Sequence, residues 1–418
     1  MDLKIYPHNL KGIVEAPPSK SYTHRAIICG SLAKGRSVIN NPLICDDTLA
    51  TINALKAIGT NIVFYETRLE IDGITKVQIP KKPIDCRESA STLRMLLPYF
   101  STINHQWTFT GSEYLIERIQ EADLMELKGL KFQKEGKELK IWGNLDQTHY
   151  LLGGNITSQF ISGMIMVLPF LHPNTTLSLY GVNILNPYVQ LTLETCRHFG
   201  LEFNFKNNTD ILVKPNSFYK NNVFDVEGDF SNAACWVGAS YFNEQLRVGC
   251  LNSLSQQGDA RIFSFLQEMG VQFKLENCDY SYLSGKIGDA EIDITETPDL
   301  GPILAAIASL GTGTVIISGI EKLSYKESNR ALSIMDGLNR LGGNVKIVEN
   351  KMIIQGKPLL EGGVEVDSYN DHRIIMALSI LGSRIRLPFI IKNFLPINKS
   401  YPNFFDVFQR IGGKFEVV

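Results

Sequence analysis

"FLQEMGVQFKLEN", residues 265–277, is an apolar helical run that ends on a glycine and passes into alternating apolar and polar residues. The glycine suits the position just past a helix C-terminus, where the backbone turns left-handed, and the alternation suits a half-buried strand. The phrase recurs as "ALKAIGTNIVFYE" (54–66), "LMELKGLKFQKEG" (124–136), "CRHFGLEFNFKN" (196–207), "LNRLGGNVKIVEN" (338–350) and "FQRIGGKFEVV" (408–418). Its glycines, Gly59, Gly129, Gly200, Gly270, Gly342 and Gly412, are separated by 70, 71, 70, 72 and 70 residues. Five near-equal spacings define six copies of one unit.

Upstream in each copy lies a further strand pattern: "RSVIN", "QWTFTG", "TTLSLYG", "QLRVGC", "TVIISG" and "PFIIKN". Before that comes a helix apolar nearly all round, as in "FISGMIMVLPFL" and "GPILAAIASLG", which predicts burial. These helices begin after "PSKSYTHR", "RESASTLR", "GNITSQF", "GDFSNAA", "TETPDLGP" and "SYNDHR". Each polar cluster therefore falls at a helix N-terminus, where free N–H groups and the dipole favour anions. Six such ends, brought together, would make an anion-binding cleft.

The length of 418 residues suggests about two domains. Three copies each is the simplest division, with the break near 214–227, where "NSFYKNN" reads as a loop. The expected domains are residues 1–18 with 226–418 (copies 4–6) and residues 19–225 (copies 1–3), the strand "DLKIYP" crossing by way of Pro17 and Pro18. A net charge of −2 provides no global field for nucleic acid or an anionic membrane. No apolar run reaches the roughly 18 residues of a membrane helix, and "MDLKIYPHNLKG" lacks a signal segment, so a cytoplasmic location is expected. Seven scattered cysteines, Cys278 among them, without C-x-x-C support neither a disulfide framework nor a zinc site.

Eight cations lie near expected helix starts or strand ends: Lys20, Arg25, Arg94, Arg118, Lys326, Arg330, Arg373 and Lys399. Arginine forks suit carboxylate and phosphate, and lysine adds a mobile point charge. Less Asp299 and Glu327, the set carries an excess of six charges, which suits two substrates each bearing a phosphate and a carboxylate. Asp299, Glu327, Asp371 and His372 are acid–base candidates, although Asp299 and Asp371 also fit helix caps and Glu327 an ion-paired helical residue. No P-loop, dinucleotide fingerprint or nucleophile elbow is present.

The ordered stretches "PPSKSYTHRAIICGSLAKG", "STLR", "TSQF", "VEGDFSNAA", "QQGD", "TPDLGPILAAIA", "YKESNR", "YNDHR" and "KSYPNFF" resemble the 5-enolpyruvylshikimate-3-phosphate synthase family of enolpyruvyl transferases, over about residues 10–410. The resemblance implies an α/β fold of two similar domains, each of three βαβαββ units, with the active site in the interdomain cleft. It implies transfer of the enolpyruvyl group of phosphoenolpyruvate to the 5-hydroxyl of shikimate 3-phosphate, on the route to chorismate and the aromatic amino acids. No metal or organic cofactor is implied. The two substrates are the expected partners, with no nucleic acid, no membrane and a monomeric protein.

Carried over by motif, Ser21 and Arg25 resemble the groups on the shikimate carboxylate, and Lys20 one near the phosphoenolpyruvate phosphate. Thr157 and Ser158 would hold the 3-phosphate, with Gln159 between the substrates. Arg94, Arg118, Arg330, Arg373 and Lys399 would surround phosphoenolpyruvate, Arg330 and Arg373 on its carboxylate. Asp299 and Lys326 would contact the shikimate hydroxyls, Asp299 as base, while Glu327 resembles the acid that protonates the methylene carbon. Glu88, Ala90, Leu185, Lys322 and Ser324 depart from the common pattern, and Ala90 adds a methyl where many members carry glycine. The rival readings are the sister transferase acting on UDP-N-acetylglucosamine and a non-catalytic anion-binding relative.

Overall fold

The computed structural model describes residues 1–153, 157–277 and 279–418, so Cys278 and the "GNI" of "GNITSQF" lie outside the described residues. All six repeat glycines have the expected left-handed backbone, with φ from 90° at Gly200 to 107° at Gly59. The helices ahead of them are Asp46–Ala57, Glu121–Met125, Pro187–His198, Ile262–Glu268, Arg330–Arg340 and Phe404–Arg410. The second copy departs from the pattern, since its helical run is split into Glu113–Glu117 and Glu121–Met125.

The apolar helices are Lys20–Leu32, Ala90–Phe100, Ser158–Val167, Phe230–Phe242, Gly301–Ser309 and His372–Ser379, and nearly all of their side chains are buried. Side chains of Ser19, Ser89, Asp229 and Asp371 accept a backbone N–H of the first turn, so four of the six polar clusters cap their helices, while the third and fifth helices have no side-chain cap among the described residues.

Each copy builds a four-stranded sheet in one order: a leading strand, a second strand parallel to it, then two antiparallel strands. In the fifth copy these are Ala290–Asp293, Thr314–Ser318, Lys351–Gln355 and Asn344–Val348. Three sheets borrow a strand from far along the chain. Val223–Asp225 leads the first copy's sheet, beside Arg36–Asn40. Gly12–Glu15 leads the fourth copy's, beside Leu246–Gly249, and Leu3–Ile5 lies between Phe389–Lys392 and Phe415–Val417 in the sixth.

The chain divides into two compact units, one of Pro18–Glu227 and one of Met1–Pro17 with Gly228–Val418. Each has its own core. In the contiguous unit Phe100 meets Trp107 and Phe109 edge-on. In the other, Trp236 stacks on Phe404 with ring centroids 4.7 Å apart and donates its indole N–H to the Tyr401 hydroxyl at 3.2 Å. The "KSYPNFF" stretch thus contributes aromatic rings to a core while Lys399 stands at its start.

Candidate active site

In the contiguous unit, the first, second and third buried helices are tied together at their N-terminal halves by polar side chains. Arg25, one turn into the first helix, is 1% exposed. Its guanidinium donates to Thr192 Oγ1 at 2.8 Å, Ser162 Oγ at 2.9 Å, and the carbonyls of Ser21 at 2.9 Å and Tyr188 at 3.4 Å. Every one of these acceptors is neutral, and among the described residues no carboxylate forms an ion pair with Arg25. Burial accordingly pushes the guanidinium down to about 10. A buried cation satisfied by hydroxyls and carbonyls is charge-deficient, and an anionic ligand would correct that.

Lys20, at the start of the same helix, pairs with Asp47 at 2.8 Å. Arg94 donates to Gln159 Oε1 at 3.1 Å and to the Arg118 carbonyl at 3.2 Å, while Gln159 Nε2 donates to Ser91 Oγ at 2.8 Å. Arg94, Arg118 and Gln159 therefore form one group. Arg118 corrects the sequence reading, since it follows the C-terminus of the short Glu113–Glu117 helix rather than opening a helix or ending a strand. Thr157 and Ser158 open the third buried helix. The Thr157 hydroxyl is buried and makes neither a cap nor another hydrogen bond among the described residues, and Ser158 offers its carbonyl to Ser162 at 2.8 Å.

In the other unit Arg330 is the hub. Its Nη1 meets Asp299 at 2.6 Å, its Nη2 meets Glu327 at 2.5 Å, and its Nε meets the fully buried Asp371 at 2.8 Å. Asp371 uses its second oxygen to cap the sixth buried helix through the Arg373 N–H. Lys326 pairs with Asp299 at 2.9 Å. Burial raises Asp299's proton affinity, but Lys326, Arg330 and Arg373 together outweigh it and hold the carboxyl well below the usual range. Arg330 is pulled down by burial and, more strongly, upward by Asp371, Glu327 and Asp299. Arg373 Nη1 rests on the Ser231 carbonyl at 2.6 Å and Asn232 Oδ1 at 3.1 Å, both in the first turn of the fourth buried helix. Lys399 Nζ donates to the Asn370 carbonyl at 2.8 Å.

Asp299 is not a helix cap, and Glu327 is ion-paired but not helical. Asp299 lies in a 3-10 turn, Pro298–Leu300, and its side chain binds cations instead of capping the helix at Gly301. Glu327 precedes the helix that starts at Arg330 and is not helical. The acids Asp47 and Asp371 pair with Lys20 and Arg330 of the cationic set and reduce its excess from six charges to four. Neither pairing follows a helical or strand period. The buried Asp259 of "QQGD" carries no such local signal either. Its neighbourhood to Asp299, Asp229 and Arg373 exists only in three dimensions.

The profile of the EPSP synthase (3-phosphoshikimate 1-carboxyvinyltransferase) family matches residues 6–408. The 3-phosphoshikimate 1-carboxyvinyltransferase of Clostridioides difficile (strain 630) is 36% identical across 99% of this chain and 98% of that protein. That of Clostridium botulinum (strain Alaska E43 / Type E3) is 37% identical over the same shares, 99% and 98%. Among solved structures, EPSP synthase from Acinetobacter baumannii superposes with a TM-score of 0.82 at 23% identity, covering 100% of this chain and 99% of that chain. The enolpyruvyl transferase NikO from Streptomyces tendae gives 0.76 at 14% identity, covering 99% and 98%. The two structures establish the fold, and the family profile with its full-length relatives establishes more: this chain belongs to the EPSP synthase (3-phosphoshikimate 1-carboxyvinyltransferase) family.

Proposed function

We propose that this protein transfers the enolpyruvyl group of phosphoenolpyruvate to the 5-hydroxyl of shikimate 3-phosphate and releases phosphate. Membership of the family supports the reaction. The observation that carries its residue assignment is that Asp299 and Glu327, the base and acid candidates, share one guanidinium fork on Arg330. Proton transfer to the methylene carbon from Glu327 builds positive character at the adjacent carbon. The 5-hydroxyl adds there as Asp299 takes its proton. The tetrahedral adduct then expels phosphate as Glu327 recovers the proton from the methyl group.

An acid held by Arg330 is a poor proton donor, because the guanidinium favours its ionised form. The carboxylate of phosphoenolpyruvate, assigned to Arg330 and Arg373, would draw Arg330 toward itself and free Glu327 to hold a proton. Arg94, Arg118 and Lys399, with Lys20, are assigned to the same substrate. Ser21, Arg25, Thr157, Ser158, Asp299 and Lys326 are assigned to shikimate 3-phosphate, with Gln159 between the two.

The two compact units are taken as the two domains. Both substrates are phosphorylated anions that do not cross lipid unaided, which supports a cytoplasmic site of action. The protein is proposed to act as a monomer without nucleic-acid or membrane partners; a light-scattering mass twice that of the chain would overturn the first point. The reaction itself is tested by phosphate release from the purified protein given phosphoenolpyruvate with either shikimate 3-phosphate or UDP-N-acetylglucosamine. Release with the first acceptor alone is expected, and release with only the second, or with neither, would sink the reading.

A further inference from the structure

From the packing around the fourth buried helix we infer that Asp259 is a positioning residue for Arg373, acting through Ser231, and that its proton makes phosphoenolpyruvate binding depend on pH. This rests on the assignment of Arg373 to the substrate carboxylate.

Asp259 lies in a short 3-10 turn, Gly258–Arg261, folded against the N-terminus of the fourth buried helix. The preceding Gln257 fastens that turn, accepting the Phe230 N–H at 3.1 Å and donating to the Gly228 carbonyl at 2.7 Å. Asp259 Oδ2 accepts the Ser231 hydroxyl, and the carbonyl of the same Ser231 accepts Arg373 Nη1 at 2.6 Å. One residue of the helix thus touches the acid through its side chain and the arginine through its backbone. Removing the acid would free the turn on which the guanidinium rests.

Asp259 is 5% exposed, and its other oxygen, Oδ1, has no hydrogen-bond partner among the described residues. The charged groups around it are Asp229 at the cap of the fourth buried helix, Asp299 before the fifth and Arg373 on the sixth. Burial first, then repulsion from Asp299 and Asp229, outweighs the Ser231 hydrogen bond and Arg373 and pushes the carboxyl up to about 6. Below that value Asp259 is neutral and Arg373 presents its full charge to an anion. Above it the carboxylate offsets part of that charge, so phosphoenolpyruvate should bind more weakly as pH rises through about 6.

Asp259→Asn keeps the shape and an acceptor for Ser231 while removing the proton. The dissociation constant of phosphoenolpyruvate would be measured by calorimetry on the whole protein, wild type and variant, at about pH 5.5 and about pH 8. The substrate's own ionisation is common to both proteins, so the ratio of their constants isolates Asp259. The ratio is expected to stay near one at the lower pH and to favour the variant by about 3- to 10-fold at the higher. Equal ratios at both pH values would overturn the inference. Ser231→Ala cuts the link with the acid in place, and it decides the matter where Asp259→Asn fails to melt cooperatively: wild-type affinity there overturns the inference, and a loss of about 3-fold or more supports it. Turnover with shikimate 3-phosphate on the same samples separates the two claims, since binding without turnover sinks the functional reading alone.

Discussion

Arg25 shows what a single residue discloses and what it hides. Its place in a cationic cluster ahead of an apolar run marked it as an anion ligand, and the structure adds that its guanidinium is buried with neutral acceptors only. The acids were harder to read. Asp47 meets Lys20 across 27 positions and Asp371 meets Arg330 across 41, distances at which no helical or strand period operates. Arg25 also permits a test in which stability and function part company. Its partners have other bonds: the Thr192 hydroxyl donates to the Tyr188 carbonyl and the Ser162 hydroxyl to the Ser158 carbonyl, each at 2.8 Å. Burying a charge with no counter-charge is costly, and an apolar chain of similar length removes that cost. Arg25→Met should therefore leave the free protein within about 2 kcal/mol of wild type in denaturant unfolding. It should also abolish the rise in melting temperature that shikimate 3-phosphate gives the wild type. A loss of stability well beyond that range would show Arg25 to be structural, and a retained ligand-induced rise would remove it from the substrate site.

At the scale of elements, helix termini and strand alternation were readable because each is a local property of about a dozen residues. The tight crossing of the second and third buried helices was not. Pro98 lies inside the Ala90–Phe100 helix and has no N–H to give the Arg94 carbonyl one turn back. That carbonyl is faced by Gly163 of the neighbouring helix. A Cβ built there would stand 2.8 Å from the Met95 carbonyl oxygen and 2.9 Å from that of Arg94. Both obstacles are backbone, which cannot swing aside as a side chain can. Gly163→Ala should force the helices apart at the turn that carries Arg94 and, through it, the contact with Gln159. The expected cost is about 1–3 kcal/mol in denaturant unfolding. Affinity for phosphoenolpyruvate should fall with it, whereas Gly136→Ala, at a turn where an added Cβ meets nothing within 4 Å, should leave that affinity unchanged. An alanine at 163 with wild-type stability would show that the crossing has slack.

Over the whole molecule, the two units have the same circular order of strands, cut at different points. In Pro18–Glu227 the last strand, Val223–Asp225, returns to lead the sheet of the first copy, which closes three copies into a ring from one continuous segment. In the other unit the ring is completed by the first residues of the chain: Leu3–Ile5 fills the place after Phe415–Val417, and Gly12–Glu15 leads the fourth copy's sheet. Six copies were countable from the spacing of glycines, but which strand completes which sheet is decided by pairings as distant as Val38 with Val223 and Leu3 with Val417. The asymmetry predicts how the protein can be dissected. Residues 18–227 contain every strand of their sheets and should melt cooperatively alone. Residues 228–418 lack two strands and with them the fully buried Leu3, Ile5 and Val14. At about 2–5 kcal/mol for each large apolar side chain removed, that loss rivals the whole stability of an ordinary domain. This fragment should therefore show no cooperative melt. Asp2 and Val418 exchange backbone hydrogen bonds of 3.1 and 3.0 Å, so the two ends of the chain are already adjacent. Appending residues 1–17 after Val418 through a short flexible linker should restore the transition, because it reproduces in one segment the strand order of the contiguous unit. Circular dichroism melts of the three fragments check this. A cooperative melt of 228–418 alone, or none in the linked form, would show that the ring order is not what holds that unit together.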